Sequence, residues 1–393
     1  MIAPVVILGA ARTPLGAFQG AFAGVPAPRL GAVAIRAAVE RAGVPAALVT
    51  DVFLGQVLQA GVGQAPARQA ALQAGLPPAA RCTTIHKVCG SGLEAVVQGR
   101  RALALGEADL VVAGGMENMS AAPYLLPKAR DGFRLGHQQA LDSLVHDGLW
   151  DPQHQIHMGS CAERCVTRLG LTRAEQDAFA AQSFRRANAA QAAGAFRDEI
   201  APVTITDARG RGTVVEHDEG PGRVNYEKMP TLRPAFEPQG TITAANASTL
   251  NDGAAALVLA READAAAWGA APLARIVAHG AHAREPIEFA LAPADAARDV
   301  LARAGWRVED VDLWEVNEAF AAVALAFARE LAIPTERLNV RGGAIALGHP
   351  IGASGARIVV TLLAALRASG GRRGVAAICI GGGEALALCV ERL

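Results

Sequence analysis

Residues 33–57 read VAIRAAVERAGVPAALVTDVFLGQV, and residues 295–320 read DAARDVLARAGWRVEDVDLWEVNEAF. Each is an Ala-rich amphipathic helix ending in Arg-Ala-Gly, then a short link, then Asp and an apolar strand. Gly43 and Gly305 stand where such a helix should stop, because glycine takes the left-handed turn past a helix C-terminus without steric cost. The match continues outward. Cys89-Gly-Ser-Gly-Leu93 opens a predicted helix to about Gly106, and a strand follows at Asp109-Leu-Val-Val-Ala-Gly-Gly115. Gly352-Ala-Ser-Gly355 opens a helix to about Ser369, and the strand Val375-Ala-Ala-Ile-Cys-Ile380 runs into Gly381-Gly-Gly383. Gly355 lies after Gly92 by nearly the distance that separates Gly305 from Gly43. The first strand, around Val5–Leu8, has its counterpart in Leu273-Ala-Arg-Ile-Val-Ala278.

The chain is therefore read as two related α/β halves, residues 1–118 with 250–270, and residues 271–393. Their uninterrupted apolar strands predict sheets buried on both faces. Between them, 119–249 is an insertion richer in Pro, His, Asp and Arg. It holds a predicted helix, Thr172–Ala193, with Thr172 as N-cap and Gln176 nearby, and loops such as Asp218-Glu-Gly-Pro-Gly-Arg-Val224. An insertion of that size in one copy only is expected to serve as a substrate-binding or lid element.

Composition narrows the function. The 393 residues are 51% hydrophobic and 19% charged with zero formal net charge, which suits large cores rather than disorder. Lys and Arg do not cluster as a nucleic-acid footprint would require, and Lys occurs only at 87, 128 and 228. No apolar run reads as long enough to span a bilayer. The start, Met1-Ile2-Ala3-Pro4-Val5-Val6-Ile7-Leu8, lacks a basic leader and reads as a first strand rather than a signal peptide. The expectation is a soluble cytoplasmic enzyme acting on a small molecule. The six Cys, at 82, 89, 161, 165, 379 and 389, form no CxxC pair, and the His spacing fits no zinc pattern. No metal is expected. Cys161 and Cys165, one helical turn apart, read as packed thiols, and disulfides are not expected in that compartment.

Chemistry must then come from individual side chains. Cys89 precedes Gly-Ser-Gly at a helix N-terminus, where the dipole and free N–H groups should lower its pKa; the plainer reading is a buried Cys at a tight turn. The glycines would let backbone approach a substrate or a facing helix. His349 sits in a Gly-rich loop, Gly342-Gly-Ala-Ile-Ala-Leu-Gly-His-Pro-Ile-Gly-Ala-Ser-Gly355, at the repeat position facing Cys89. Imidazole is suited to take a thiol proton near neutral pH. Cys379 ends a strand, where open α/β sheets place ligands, although a Cys in an apolar strand is more often core. Asn317, in Asn317-Glu-Ala-Phe320, follows another strand and could orient a water or a carbonyl oxygen. Two thiols and an imidazole suit two-step acyl transfer through a thioester. Dinucleotide, P-loop and GxSxG motifs are all missing from the sequence.

Val88-Cys-Gly-Ser-Gly, Asn317-Glu-Ala-Phe, Gly348-His-Pro-Ile-Gly-Ala-Ser-Gly and Cys379-Ile-Gly-Gly-Gly resemble the signature blocks of the thiolases. The resemblance covers the whole chain, including Ala10-Ala-Arg-Thr-Pro, Gly114-Gly-Met-Glu-Asn-Met-Ser and Asn246-Ala-Ser-Thr-Leu-Asn-Asp-Gly. It implies a five-layered αβαβα core with a loop domain, and a homotetramer built as a dimer of dimers. It implies the condensation of two acetyl-CoA to acetoacetyl-CoA and coenzyme A, or the reverse thiolysis, with coenzyme A thioesters as substrates and no other cofactor. Cys89 would accept the acyl group and His349 would activate it. Cys379 would exchange the α-proton of the second acyl group. Asn317, through a water, would join His349 in one oxyanion site, and the backbone N–H groups of Cys89 and Gly381 would form the other.

For coenzyme A binding the resemblance implies Leu149, His157, Met158, Phe236 and Ser248, with Ala319 and Phe320 along the acyl pocket. Phe289 falls where short-chain members place a bulky wall. Two departures stand out. Arg223, in Gly-Pro-Gly-Arg-Val, is displaced from the usual basic position near the adenine, and Glu384 replaces the Met, Gln or Gly of many relatives. Three other readings compete: a longer-chain degradative thiolase, a decarboxylating ketoacyl-synthase-type enzyme, and a catalytically dead binding protein. A decarboxylating enzyme has no need of Cys379, and a dead protein would not have all four reactive positions filled.

Overall fold

The computed structural model describes residues 3–206 and 209–393. The first strand spans Val5–Arg12; the Met1-Ile2 end of the predicted strand lies outside the described residues. The main sheet runs in the order Leu313–Val316, Arg373–Ile380, Glu384–Arg392, Ala274–Ala283, Val5–Arg12, Asn251–Arg261, Leu110–Asn118, Asp51–Gly55, Arg81–Ile85. It is two copies of one pattern joined where Val5–Ile7 pairs antiparallel with Ala274–Ile276. In each half the first strand is antiparallel to the last, and the last is antiparallel to the strand after the glycine-opened helix. That strand is parallel to the one following the Arg-Ala-Gly helix. Arg81–Ile85 adds an edge to the first half. In the second, a single bridge between Trp314 and Leu338 takes its place.

Alternation along the strands explains the layers. In Asn251–Arg261, Ala254, Ala256 and Val258 point to a core built on helix Ala27–Ala42, while Ala255, Leu257 and Leu259 point to the opposite one. In Glu384–Arg392, Leu386, Leu388 and Val390 share that inner core, while Ala385, Ala387 and Cys389 face helix Ala292–Ala304. Strands apolar at every position are thus buried on both sides. The inner layer consists of helices Ser91–Leu105 and Ile351–Ser369, clamped between the half-sheets. The resulting order is helix, sheet, helix, sheet, helix.

The helix Ile351–Ser369 corrects one sequence reading. By length and composition it is apolar enough to cross a bilayer, but it lies buried in the protein's middle layer. Its N-terminus meets that of Ser91–Leu105 almost backbone to backbone. A Cβ on Gly355 would lie 2.4 Å from the Leu93 nitrogen, and one on Gly92 would lie 2.9 Å from that of Ala356. The paired Gly-Ser-Gly and Gly-Ala-Ser-Gly stretches therefore let the two facing helices approach closely.

The insertion carries helices Ser143–Gly148, Met158–Leu169 and Arg173–Ala192. Thr172 caps the last, and its reciprocal partner is Glu175 rather than Gln176; Gln176 instead donates to Thr241. Arg12, at the end of the first strand and fully buried, forks onto Asp218 at 2.7 and 2.9 Å and approaches Glu199 at 3.5 Å. A buried bidentate pair fixes orientation as well as proximity, so the far end of the insertion is held against the first half.

Candidate active site

Cys89 lies in the turn between Arg81–Ile85 and helix Ser91–Leu105. The turn is closed by Gly90 N–H to the Lys87 carbonyl at 3.0 Å, by Lys87 N–H to the Ser91 hydroxyl at 2.8 Å, and by that hydroxyl to the Val88 carbonyl at 2.6 Å. Val88 has φ 45°, a left-handed conformation that a β-branched residue adopts at a cost of about 1–3 kcal/mol. The surrounding hydrogen bonds hold it there. The Gly381 N–H and the N–H of Cys89 itself point at the sulfur and favour its anion, but burial outweighs them and the nearby Glu117 adds to it, pushing the thiol up to about 11. The expected thiolate gives way to a neutral thiol.

His349 is the candidate base. It sits in the loop between Ala344–Leu347 and Ile351–Ser369. Gly348 before it has φ 116°, and a Cβ there would fall 2.3 Å from the Asn251 amide carbon. The Asn251 oxygen accepts from His349 N–H at 3.1 Å and from the Thr249 hydroxyl at 2.7 Å, while its amide donates to the Gly16 carbonyl at 2.9 Å. His349 Nδ1 is 2.5 Å from Ser354 Oγ, whose hydrogen goes to the Pro350 carbonyl at 2.9 Å. With that hydroxyl given to Pro350, its oxygen accepts from Nδ1–H, an arrangement that puts the ring hydrogen on Nδ1 and the lone pair on Nε2. Nε2 lies 3.4 Å from Asn317 Nδ2. Burial, with Arg357 adding to it, lowers His349 to about 3, so the ring is neutral near pH 7.

Asn317 follows strand Leu313–Val316, anchored by its N–H to the Ala377 carbonyl at 2.9 Å. Its side-chain oxygen is buried without a protein partner. Beside it, Glu318 is buried and accepts from Ser183 at 2.7 Å, Asn339 at 2.8 Å and the Ile345 N–H at 3.2 Å. Cys379, near the end of Arg373–Ile380, is buried. Burial, then the charge of Cys89, push its thiol well above the ordinary range, so its anion is scarce and strongly basic. The Gly381–Gly383 turn after it is pinned by Arg284 N–H to the Gly383 carbonyl at 2.8 Å. Glu384 now has an explanation: its carboxylate pairs with Lys87 Nζ, joining the loop after Cys379 to the loop before Cys89.

A cavity of about 930 Å³ opens beside His349, large enough for a bulky ligand. Leu149, His157, Arg223, Phe236, Ser248 and Phe320 line it. His157 stacks on Phe236 at 4.8 Å, and Phe320 meets Phe236 edge-on at 6.0 Å. Met158, Phe289 and Ala319 do not line this cavity; they form, with Cys379 and Phe320, the apolar cluster behind it. Phe289 is buried there edge-on to Phe320 at 6.2 Å. Arg223, although displaced, borders the cavity with Asn225 and Lys228. Sequence reasoning missed Lys228, Ser354, Asn251 and Glu117. A lone Lys on a polar loop, and a Ser one turn beyond His349, were the signals present. Among the described residues, no group of His, Cys, Asp or Glu converges as metal ligands would.

Comparison with known proteins agrees along the whole chain. Residues 5–263 match the thiolase N-terminal domain and residues 270–392 the thiolase C-terminal domain. Acetyl-CoA acetyltransferases of Pseudomonas aeruginosa and Cupriavidus necator are 50% and 51% identical over 389 residues, covering 99% of each chain. Acetyl-CoA acetyltransferase 2 of Arabidopsis thaliana is 51% identical over 391 residues, covering 99% of this chain and 97% of its own. The crystal structure of the Bacillus anthracis acetyl-CoA acetyltransferase superposes with a TM-score of 0.97 at 42% identity, covering 100% of this chain and 99% of that one.

Proposed function

The chain belongs to the thiolase family, and we propose that it is an acetyl-CoA acetyltransferase, condensing two acetyl-CoA to acetoacetyl-CoA and coenzyme A and running the reverse thiolysis. The observation that carries the chemistry is the His349 network, a neutral imidazole whose unprotonated Nε2 faces the Asn317 amide at 3.4 Å, together with a Cys89 sulfur faced by the Gly381 N–H. Nε2 takes the Cys89 proton as the sulfur attacks the acetyl carbonyl. The N–H groups of Cys89 and Gly381 stabilise the oxyanion. Coenzyme A leaves with the proton from His349, and acetyl-Cys89 remains. The Cys379 anion then takes an α-proton from the second acetyl-CoA, whose thioester oxygen rests on His349 and an Asn317-held water. The new carbanion attacks acetyl-Cys89. The C–C bond forms, the C–S bond breaks, and the proton on Cys379 passes to the departing Cys89 sulfur. Run backward, Cys379 delivers the proton.

Leu149, His157, Phe236 and Ser248 are proposed to hold the pantetheine arm and adenine, with Arg223 and Lys228 near the phosphates. Met158, Ala319, Phe320 and Phe289 are proposed to bound the acyl group. Only coenzyme A thioesters are required by this scheme. The exposed apolar side chains Tyr124, Leu126, Phe133 and Leu135 support assembly of further copies, here proposed as a homotetramer. A cytoplasmic role in fatty acid metabolism is proposed with it. The relatives' names favour acetyl transfer over the longer-chain and decarboxylating alternatives. The test is kinetic: condensation of acetyl-CoA, and thiolysis over a series of 3-ketoacyl-CoA lengths. Turnover of malonyl-thioesters alone would overturn the reading.

A further inference from the structure

Glu117 lies in the Gly114-Gly-Met-Glu-Asn-Met-Ser block, to which the acyl-transfer scheme gives no task. It is the last residue but one of strand Leu110–Asn118 in the first half and is fully buried. One carboxylate oxygen accepts Val57 N–H at 3.0 Å and Gly352 N–H at 2.9 Å; the other accepts Leu58 N–H at 3.1 Å. Gly352 is the second residue of the helix that follows His349. Val57 and Leu58 pack with Ile351, and Cys89 and Leu149 lie against that same cluster. One side chain of the first half therefore grips both the helix start behind the base and the loop packed beside the nucleophile.

We propose that Glu117 is a positioning residue for acyl transfer, whose carboxylate holds the His349 helix and the Val57–Leu58 loop in register around Cys89. The inference rests on the assignment of Cys89 and His349 above. The charged carboxylate accepts all three N–H groups most strongly, and protonation turns one oxygen into a donor and weakens the grip. The groups that act on its charge are few. Asp252, on the adjacent strand, raises its affinity for protons and is itself held by the Ser120 N–H and hydroxyl. Cys89 feels it across the site. From the helix Ile351–Ser369 it receives only the Gly352 N–H, and the first charged side chain there, Arg357, approaches Glu315. On the facing helix Ser91–Leu105, Glu94 and Arg101 interact with each other. Gln56, beside the loop, is neutral. Burial, opposed by the three N–H groups and assisted by Asp252, pushes Glu117 up to about 7. The gripping form is thus gained as pH rises through neutrality, where His349 is already neutral.

The experiment is the rate of Cys89 acetylation in the full enzyme at saturating acetyl-CoA, measured from pH 5.5 to 8.5. Wild type is expected to accelerate through about pH 7. Glu117→Gln is expected to be slower at pH 8 by about tenfold or more, with little change in KM, and to have lost that pH dependence. Glu117→Asp, which keeps the charge on a shorter arm, is expected to be slower but to keep the pH dependence; it serves if the Gln variant does not fold. An unchanged pH dependence in Glu117→Gln, a wild-type rate in either variant, or a flat wild-type profile overturns the proposal. If wild type acquires no acetyl group on Cys89, the underlying thiolase assignment fails instead.

Discussion

Ser354→Ala removes one hydroxyl and should disable the base without touching substrate. Ser354 Oγ sits 2.5 Å from His349 Nδ1, and both residues are buried. Without the hydroxyl, Nδ1–H is a buried donor with no acceptor, which costs about 1–3 kcal/mol. The ring escapes that cost by moving its hydrogen to Nε2, where it can no longer take the Cys89 proton. At about 1.4 kcal/mol per decade, the competent tautomer falls by roughly 5- to 150-fold. Rapid-quench measurement of the acetyl-Cys89 burst reads this directly, and the loss should appear in the burst rate, not in KM for acetyl-CoA. Ser354→Thr restores the hydroxyl while adding a methyl to a packed site, at a stability cost of about 1–3 kcal/mol. It should melt earlier yet acylate faster than the Ala variant. A wild-type burst in Ser354→Ala, or a loss confined to KM, refutes the tautomer argument.

Cys379→Ser should still form acetyl-Cys89, yet lose condensation and thiolysis by roughly 10²–10⁴, as followed by acetoacetyl-CoA formation and consumption. Thiolysis should favour acetoacetyl-CoA over a ten-carbon 3-ketoacyl-CoA, because Phe289 and Phe320 close the apolar cluster behind the cavity; equal kcat/KM values for the two would contradict this. Glu117 also makes a stability prediction. Its proton affinity is raised by burial from 4.5 to about 7, so the stability it gains from staying protonated is present in full below pH 4.5 and lost as pH rises through 7. At about 1.4 kcal/mol per unit, wild type should lose on the order of 3 kcal/mol relative to Glu117→Gln across that range, measured by denaturant unfolding at each pH.

The sequence was most readable where it repeats itself. Gly43 and Gly305, each in the left-handed conformation after its helix, and the two glycine-opened helices revealed the duplication because backbone geometry tolerates little else there. Asn251–Arg261 and Glu384–Arg392 were harder to recognise, since strands apolar on both faces have no alternation to mark them. The helix Ile351–Ser369 posed the same ambiguity, because burial between two sheets and burial in lipid select the same residues. Cys89, His349 and Cys379 stood out as candidates by the glycines beside them, and Asn317 by its place just after an apolar strand. The protonation of Cys89 was not: a helix start suggests a thiolate, and only the packing around the sulfur reverses that. The partners of Glu117 lie far from it in sequence, and no local pattern carries such partnerships.

The central claim is a covalent acetyl-Cys89 intermediate that a second acetyl-CoA consumes. Its most direct test is to mix the enzyme with isotopically labelled acetyl-CoA, quench in acid, and map the label by peptide mass spectrometry, with and without a chase of unlabelled acetyl-CoA. The account predicts label on the peptide containing Cys89, and its transfer into acetoacetyl-CoA during the chase. Label on Cys379 or another residue, or a labelled Cys89 that the chase leaves untouched, would contradict it.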